Sequence, residues 1–289
     1  MASNNNPRTP NPSNPSALAE RYEIRRLEPK HAPWAKAIVI HSNLFYSPLW
    51  PVLYPEKLTE RIHRGFAAGD YLVDHQINSG LSFGVFDTQY QFKRPESAAT
   101  DGKLYWDPAE PSIYETEGLE AQSKLMLEQM DFPLVSVALS YDAFHALDMD
   151  KMGPLMDVLP HFGLSYRILV ERDTRDPAVY TPTRERELLF RNATSTRQDY
   201  TGERIMAAMA RWLMREADEM GFRGIQIETV HDRVDHVWAN PPEPYKGITA
   251  SEFHTGEYVD EKGEKPFAPA QQRITKVFVE LKPMKSLTP

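Results

Sequence analysis

Short apolar runs recur along the chain and are separated by segments in which apolar residues have helical spacing. The runs that predict strands are Tyr22–Leu27, Leu81–Phe86, Pro133–Leu139, Glu187–Thr196, Gly224–Val230 and Ile274–Leu281. The segments that predict helices are Pro29–Asn43, Pro55–Phe66, Leu119–Met130, Ala143–Leu159, Glu203–Met220 and His231–Trp238. The run Tyr166–Val170 fits either another strand or an extension beside a helix. This mixture predicts an α/β fold.

Two parts of the chain lack such periodicity. Residues 1–18 are mostly Asn, Pro and Ser without periodic apolar residues, and predict a disordered N-terminal tail, because nothing in this pattern offsets the entropy of ordering. Residues 19–289 are predicted to form a single domain. Its middle region, from about 87 to 183, is enlarged, and its polar, proline-containing part at 87–118 has the composition of a long loop or insertion.

The C-terminal third of the chain contains a βαβ pattern. A predicted strand ends at Thr196, the loop 197–202 follows, and a long helix leads to a second strand that begins at Gly224. The helix carries a single apolar stripe, which predicts a face packed on the core. Since the two strands flank one helix, we expect them to be parallel and joined by a right-handed connection.

The loop before this helix has features of an anion site. Backbone N–H groups at a helix N-terminus, together with the helix dipole, favour an anion such as a diphosphate. Arg197 and Arg204 flank the loop and are expected to add charge-assisted hydrogen bonds, although a plain surface pair of arginines fits the same spacing. Gly202 allows a ligand to approach the main chain closely.

The segment Arg197-Gln-Asp-Tyr-Thr-Gly202 resembles the coenzyme A-binding motif of the GNAT N-acyltransferase superfamily, Gln/Arg-x-x-Gly-x-Gly/Ala, at its first and last defined positions. Tyr200 stands where the motif has its middle glycine. The resemblance spans about residues 20–282 and implies a GNAT-like fold, with a mixed, twisted central sheet flanked by helices. It also implies that the diphosphate contacts, mainly through backbone N–H groups, come from Arg197, Gln198, Asp199, Tyr200, Thr201, Gly202, Glu203 and Arg204.

The resemblance further implies how such a site works. The strands on either side of the helix splay apart, and the pantetheine arm of acetyl-CoA or another acyl-CoA lies between them. Main-chain groups polarise the thioester carbonyl, which a primary amine attacks directly. In the family, a tyrosine of the next helix protonates the departing thiolate, but this sequence has Trp238 at that position, and an indole is a poor proton donor.

Four residues are candidates for the chemistry. Glu228, late in its strand, is the candidate general base, and a solvated carboxylate at a strand end is the alternative. Tyr245 is the candidate acid that replaces the family's tyrosine. His231 and Trp238 are candidates for the substrate pocket, and the alternatives are a helix cap for the histidine and core packing for the tryptophan.

Composition narrows the classes of function. The 289 residues include no cysteine, which excludes a cysteine nucleophile and thiolate metal sites but is compatible with direct amine attack. The net charge of −8 argues against a nucleic-acid partner. The sequence contains no apolar window of about 18 residues and no secretory signal, so we expect a cytoplasmic protein without a membrane span. His231 and His236 do not share a helix face, and no metal site is expected.

Two alternatives to an amine acetyltransferase remain open. A degenerate GNAT-fold protein would bind coenzyme A, or no ligand at all, and act in regulation. An active relative would carry out a different acyl-CoA reaction in a biosynthetic pathway. The substitutions at Tyr200 and Trp238 favour the first of these alternatives.

Overall fold

The computed structural model describes residues 6–282, and its centre is a mixed sheet of seven strands. The strands are β1 Tyr22–Arg26, β2 Phe83–Asp87, β3 Lys103–Leu104, β4 Met130–Asp131, β5 Leu134–Asp142, β6 Leu188–Thr196, β7 Gly224–Thr229, β8 Lys246–His254 and β9 Arg273–Glu280. The main sheet has the order β1-β2-β5-β6-β7-β9-β8, and β3 pairs with β4 separately. Within the main sheet, β6 and β7 are parallel and the other pairs are antiparallel.

Helices cover both faces of the main sheet. They are α1 Ala32–Tyr46, α2 Trp50–Leu53, α3 Leu58–Ala68, α4 Asp70–Asn78, α5 Pro95–Ala99, α6 Tyr114–Glu128, α7 Gly153–Val158, α8 Pro160–Glu171, α9 Pro177–Tyr180, α10 Ile205–Glu219 and α11 Asp232–Ala239. Helices α10 and α11 pack on one face, and α1, α4 and α8 pack on the other. Among the described residues, none of the helices has the length and apolar character that a membrane span needs.

The predicted α/β class and mixed sheet are confirmed, and so is the parallel βαβ unit. The ambiguous run Tyr166–Val170 belongs to helix α8. Strand β8 was not predicted, because it lies at the edge of the sheet and most of its side chains are polar or partly exposed. Helix α4 was missed as well, since Asp70–Asn78 carries only a narrow apolar stripe between polar residues.

The N-terminal segment 6–18 is ordered and lies along α10, so the prediction of a disordered tail is corrected for these residues. The indole N–H of Trp212 donates to the carbonyl oxygen of Asn14, at 2.9 Å, and Leu18 is buried in the core beside the same helix. Asn6 and Ser16 pair through their backbones. The segment is held mainly by hydrogen bonds rather than by apolar burial. Its polar composition therefore gave no sign that it is ordered. Residues 1–5 lie outside the described residues.

We expect replacement of Asn14 by Ala to lower the free energy of unfolding by about 1–3 kcal/mol, because its buried side-chain amide forms hydrogen bonds with three groups of α10. Its Nδ2 donates to the carbonyl of Trp212 and the carboxylate of Glu216, and its Oδ1 accepts from Arg215. Urea denaturation measures the change. The exposed neighbour Ser13, replaced by Ala, is the control and should change stability by less than about 0.5 kcal/mol. Equal stabilities of the two variants would contradict docking of the segment.

Candidate functional site

Strands β6 and β7 separate at their carboxyl ends. Their parallel pairing ends at Arg191 and Ile227, although β6 continues to Thr196 and β7 to Thr229. Beyond that point β6 stays paired with β5, and β7 stays paired with β9. Asn192 has no partner in the β5–β6 register, and such a bulge bends a strand. The splayed strands implied by the resemblance are therefore present.

Backbone groups of β6 face this gap. The N–H of Arg197 donates to the carbonyl oxygen of Val135 in β5, at 2.8 Å. Since the direction of backbone groups alternates along a strand, the N–H and C=O groups of Thr194 and Thr196 point away from β5. These groups lie where β7 has already diverged, and they are available to pair with an extended ligand.

The N-terminus of α10 opens beside the same gap. The N–H groups of Ile205, Met206 and Ala207 have no acceptor among the described residues, and the first backbone bond of the helix runs from Ala208 to Arg204. Gly202 has a φ of +89°, and a Cβ added there would meet no atom within 4 Å. The helix tip is thus exposed, as an anion site requires.

A cavity of about 640 Å³ connects the gap, the tip of α10 and the opposite face of the sheet. Residues of β6, β7, α10 and α11 line one part of it. The part beyond the sheet is largely apolar, and its helical lining includes Ile40, Leu44, Trp50, Leu155, Leu159, Phe162, Tyr166 and Leu169. The cavity therefore passes through the sheet where β6 and β7 part.

Glu228 lies on the cavity wall with one carboxylate oxygen free. Its Oε1 accepts a hydrogen bond from Nε2 of Gln226 at 3.0 Å, whereas its buried Oε2 has no partner among the described residues. Burial raises the pKa of Glu228 to about 7, and the charge of Lys276 opposes that rise. A carboxylate with this pKa and one free oxygen can accept a proton near neutral pH.

The surroundings of Glu228 explain why Lys276 does not neutralise it. The two residues are cross-strand partners in β7 and β9, but the Lys276 ammonium lies 2.9 Å from the buried carboxylate of Asp173. The ammonium therefore shares its charge between two carboxylates. Burial raises the pKa of two phenols, Tyr141 and Tyr166, and the nearby charge of Glu228 adds to the rise in each.

The eight residues predicted to bind the diphosphate do not all line the cavity. Five of them line the cavity: Gln198, Tyr200, Thr201, Gly202 and Arg204. Arg197 does not, and the prediction that its guanidinium meets a phosphate is corrected. That group is buried, donates to the carbonyl oxygen of Phe132 at 2.8 Å, and forms an ion pair with Asp199. Glu203 also lies outside the lining and accepts a hydrogen bond from Tyr22.

Tyr200, in place of the motif's glycine, leaves the loop accessible because its side chain is held against the sheet. Its hydroxyl donates to Asp87 at 2.9 Å, and its ring meets that of Tyr22 edge-on. Asp87 is also paired with Arg21, so the phenol joins an existing polar cluster. The substitution is therefore accommodated by the position of the side chain.

Of the three remaining candidate site residues, only one lines the cavity. His231 lines it and caps α11, since its Nδ1 accepts from the N–H of Arg233 at 3.1 Å. Trp238 is fully buried in the core and does not line the cavity, which corrects its assignment to the substrate pocket. Tyr245 also lies outside the lining and donates to Asp218 at 3.1 Å, so its position does not fit the predicted acid.

The cavity residues that sequence reasoning missed include Arg233, Tyr166 and Asn192. Arg233 is exposed, lines the same cavity as Arg204 and, like it, forms no ion pair with any residue between 6 and 282. No motif marks it. Asn192 is a polar residue inside a strand run, which is a weak signal for a bulge. Over the same range of residues, the structure contains no cluster of three or more His, Asp or Glu side chains that could hold a metal ion.

No family model matches the chain, and no curated protein does either. Solved structures that share its fold include the following two. The C-terminal condensation domain of Ebony, in a complex with beta-alanyl-dopamine, is 19% identical, aligns over 90% of this chain and 98% of its own, and gives a TM-score of 0.58. Arylalkylamine N-acetyltransferase 2 from Aedes aegypti is 11% identical over 90% of this chain and 99% of its own, with a TM-score of 0.53. The chain therefore has the fold of the GNAT N-acetyltransferases.

Proposed function

We propose that this protein transfers an acyl group, in the first instance acetyl from acetyl-CoA, to a primary amine. One observation carries the proposal: a single cavity joins free N–H groups at the tip of α10 to the free carboxylate oxygen of Glu228. The first feature suits an anionic cofactor tail, and the second suits removal of a proton from an amine.

The donor would occupy the side of the cavity formed by α10. Its diphosphate would accept hydrogen bonds from the N–H groups of Ile205–Ala207, with Arg204 and Arg233 supplying positive charge. The amide groups of its pantetheine arm would pair with the exposed backbone of Thr194 and Thr196, in the place that a further strand would take. This arrangement directs the thioester into the gap between β6 and β7.

The acceptor would enter from the other face of the sheet. That part of the cavity is lined by apolar and aromatic side chains of α1, α2, α7 and α8, which suit an amine with an apolar body. The buried carboxylate of Glu228 would attract the ammonium group of such an amine. Because the two solved structures are an arylalkylamine N-acetyltransferase and a domain that holds beta-alanyl-dopamine, we propose an arylalkylamine as the acceptor to test first.

The proposed reaction is a direct displacement. The ammonium group first releases one proton to solvent, and the free amine attacks the thioester carbonyl. Glu228 takes the second proton from the attacking nitrogen as the new C–N bond forms, and the C–S bond breaks. Alignment of the two substrates in one cavity would supply much of the rate enhancement. No covalent intermediate with the protein is needed, in keeping with the absence of cysteine.

A second candidate is a protein that binds coenzyme A without turnover. The observation in its favour is Trp238, which is buried in the core and leaves α11 without a proton donor at the position where the family has a tyrosine. Under this alternative, the ligand would still bind at the tip of α10 and in the gap. Binding alone therefore does not distinguish the two candidates, whereas turnover does.

We expect amine-dependent release of free thiol when the protein is mixed with acetyl-CoA and a primary arylalkylamine. The assay should compare that acceptor with an alkylamine and with a polyamine, and the arylalkylamine should give the highest kcat/KM because the cavity beyond the sheet is largely apolar. Binding of acetyl-CoA without thiol release from any amine would support the second candidate. Failure of acetyl-CoA to bind at millimolar concentration would contradict both.

A further inference from the structure

Tyr166 stands at the closed end of the gap. It belongs to α8, lines the cavity and packs against Phe162, with ring centroids 4.8 Å apart. Its hydroxyl oxygen accepts a hydrogen bond from Nδ2 of Asn192 at 2.9 Å. Asn192 is the bulged residue of β6, next to the last paired position of β6 and β7. The phenol is thereby tied to the point where the gap begins.

The hydrogen bond from Asn192 determines whether the phenol of Tyr166 can donate its proton. Because the hydroxyl oxygen accepts from Asn192, its own proton remains available, and no group among residues 6–282 accepts it. Burial and the charge of Glu228 raise the pKa of Tyr166 well above its usual value, so the phenol stays protonated at neutral pH. The cavity thus contains a neutral proton donor and, on another wall, a carboxylate that accepts protons.

The proposed reaction requires such a donor. Breaking the C–S bond releases a thiolate, which is poorly stabilised in an apolar cavity unless it receives a proton. The candidate acid from the sequence, Tyr245, does not supply it, because its hydroxyl donates to Asp218. Trp238, at the position of the family's tyrosine, is buried in the core and is a poor proton donor. Tyr258 does not line the cavity and packs between Phe253 and Phe267.

We propose that Tyr166, oriented by Asn192, is the general acid that protonates the departing thiolate. This inference rests on the proposed acyl transfer. As the C–S bond breaks, its electron pair moves to sulfur, and sulfur takes the phenolic proton. The proton that Glu228 removed from the amine returns to the phenolate, directly or through water, so that both side chains regain their starting states and the products are an amide and a free thiol.

The test compares Tyr166→Phe with the unchanged protein on two acyl donors. With acetyl-CoA, kcat should fall about 10²–10⁴-fold while KM changes little, as expected for loss of a general acid. With S-(4-nitrophenyl) thioacetate, kcat/KM should fall less than about threefold, because its aryl thiolate leaves without a proton. Tyr141→Phe is the matched control: Tyr141 is also buried near Glu228 but does not line the cavity, so both activities should stay within about twofold.

The outcomes separate the two proposals. Equal losses with both donors would assign Tyr166 to positioning or to the carbonyl oxygen, and would overturn the acid role. Full activity of Tyr166→Phe with acetyl-CoA would overturn it too. Absence of turnover in the unchanged protein would instead contradict the proposed function itself. Circular dichroism and thermal unfolding establish that each variant is folded.

A second variant tests the orientation by Asn192. In Asn192→Asp, the new carboxylate would accept the phenolic proton, and Tyr166 would no longer present it to the cavity. Activity with acetyl-CoA should fall at least tenfold and activity with the nitrophenyl thioester should fall much less. Unchanged activity with acetyl-CoA would contradict the proposed role of Asn192.

Discussion

Replacing Glu228 by Gln is expected to lower kcat about 10²–10⁴-fold, since the amide cannot accept the proton of the attacking amine. The substitution keeps the shape of the side chain and its place beside Gln226. Steady-state thiol release with acetyl-CoA and the best amine measures the effect. Glu252→Gln is the control, because this exposed carboxylate of β8 pairs with Arg273 and does not line the cavity. Equal activities of the two variants would exclude Glu228 as the base.

The pH dependence of the same variant provides a second check. Because burial raises the pKa of Glu228 to about 7, kcat/KM of the unchanged protein should rise with pH through about 7, and this ionisation should be absent from the profile of Glu228→Gln. Stability should change in the opposite sense. A carboxyl group whose pKa is raised by folding stabilises the fold only while it is protonated, so that contribution is lost as pH rises towards 7. Above pH 7, Glu228→Gln should be the more stable protein by about 1–3 kcal/mol.

Replacing Gly202 by Glu is expected to weaken binding of coenzyme A at least about 100-fold. The new side chain brings bulk and negative charge to the tip of α10, where the diphosphate would lie. Calorimetric titration measures the dissociation constant. Gly202→Ala tests backbone strain without the added charge, because its Cβ would meet no atom within 4 Å while φ stays at +89°. We expect this variant to lose less than tenfold in affinity for coenzyme A.

Gly221→Glu is the matched control for this experiment. Gly221 follows the other end of α10, has a φ of +97°, and a Cβ there would also meet no atom within 4 Å. The variant therefore has the same new charge and similar backbone strain, far from the tip of the helix. Its affinity for coenzyme A should stay within about threefold of the unchanged protein. Similar losses in both glutamate variants would show that the loop is not the diphosphate site.

Local periodicity predicted most of the fold, because buried strands and amphipathic helices show their pattern within a few residues. The features that were missed depend on distant partners. The segment 6–18 is ordered through hydrogen bonds such as the one between Asn14 and Trp212. Strand β8 forms at the edge of the sheet by pairing with β9, and its own residues give little apolar signal.

For the candidate site, too, local sequence predicted some features, and the missed ones depend on residues that are distant in the chain. The loop motif identified the helix tip and Gly202, but Arg197 and Arg204 could not be distinguished from sequence. Their difference arises because a carbonyl of Phe132, from a distant part of the chain, receives the Arg197 guanidinium. Tyr166 was missed because its closeness to β6 is created by the packing of α8 across the sheet.

The central claim is that an acyl-CoA lies at the tip of α10 and between β6 and β7. An amide NMR titration with coenzyme A tests both binding and location. We predict saturable shifts that are largest for the N–H groups of Thr194, Thr196 and Gly202–Ala207, with smaller changes elsewhere. Absence of shifts at millimolar coenzyme A, or saturable shifts confined to residues away from this gap, would contradict the account.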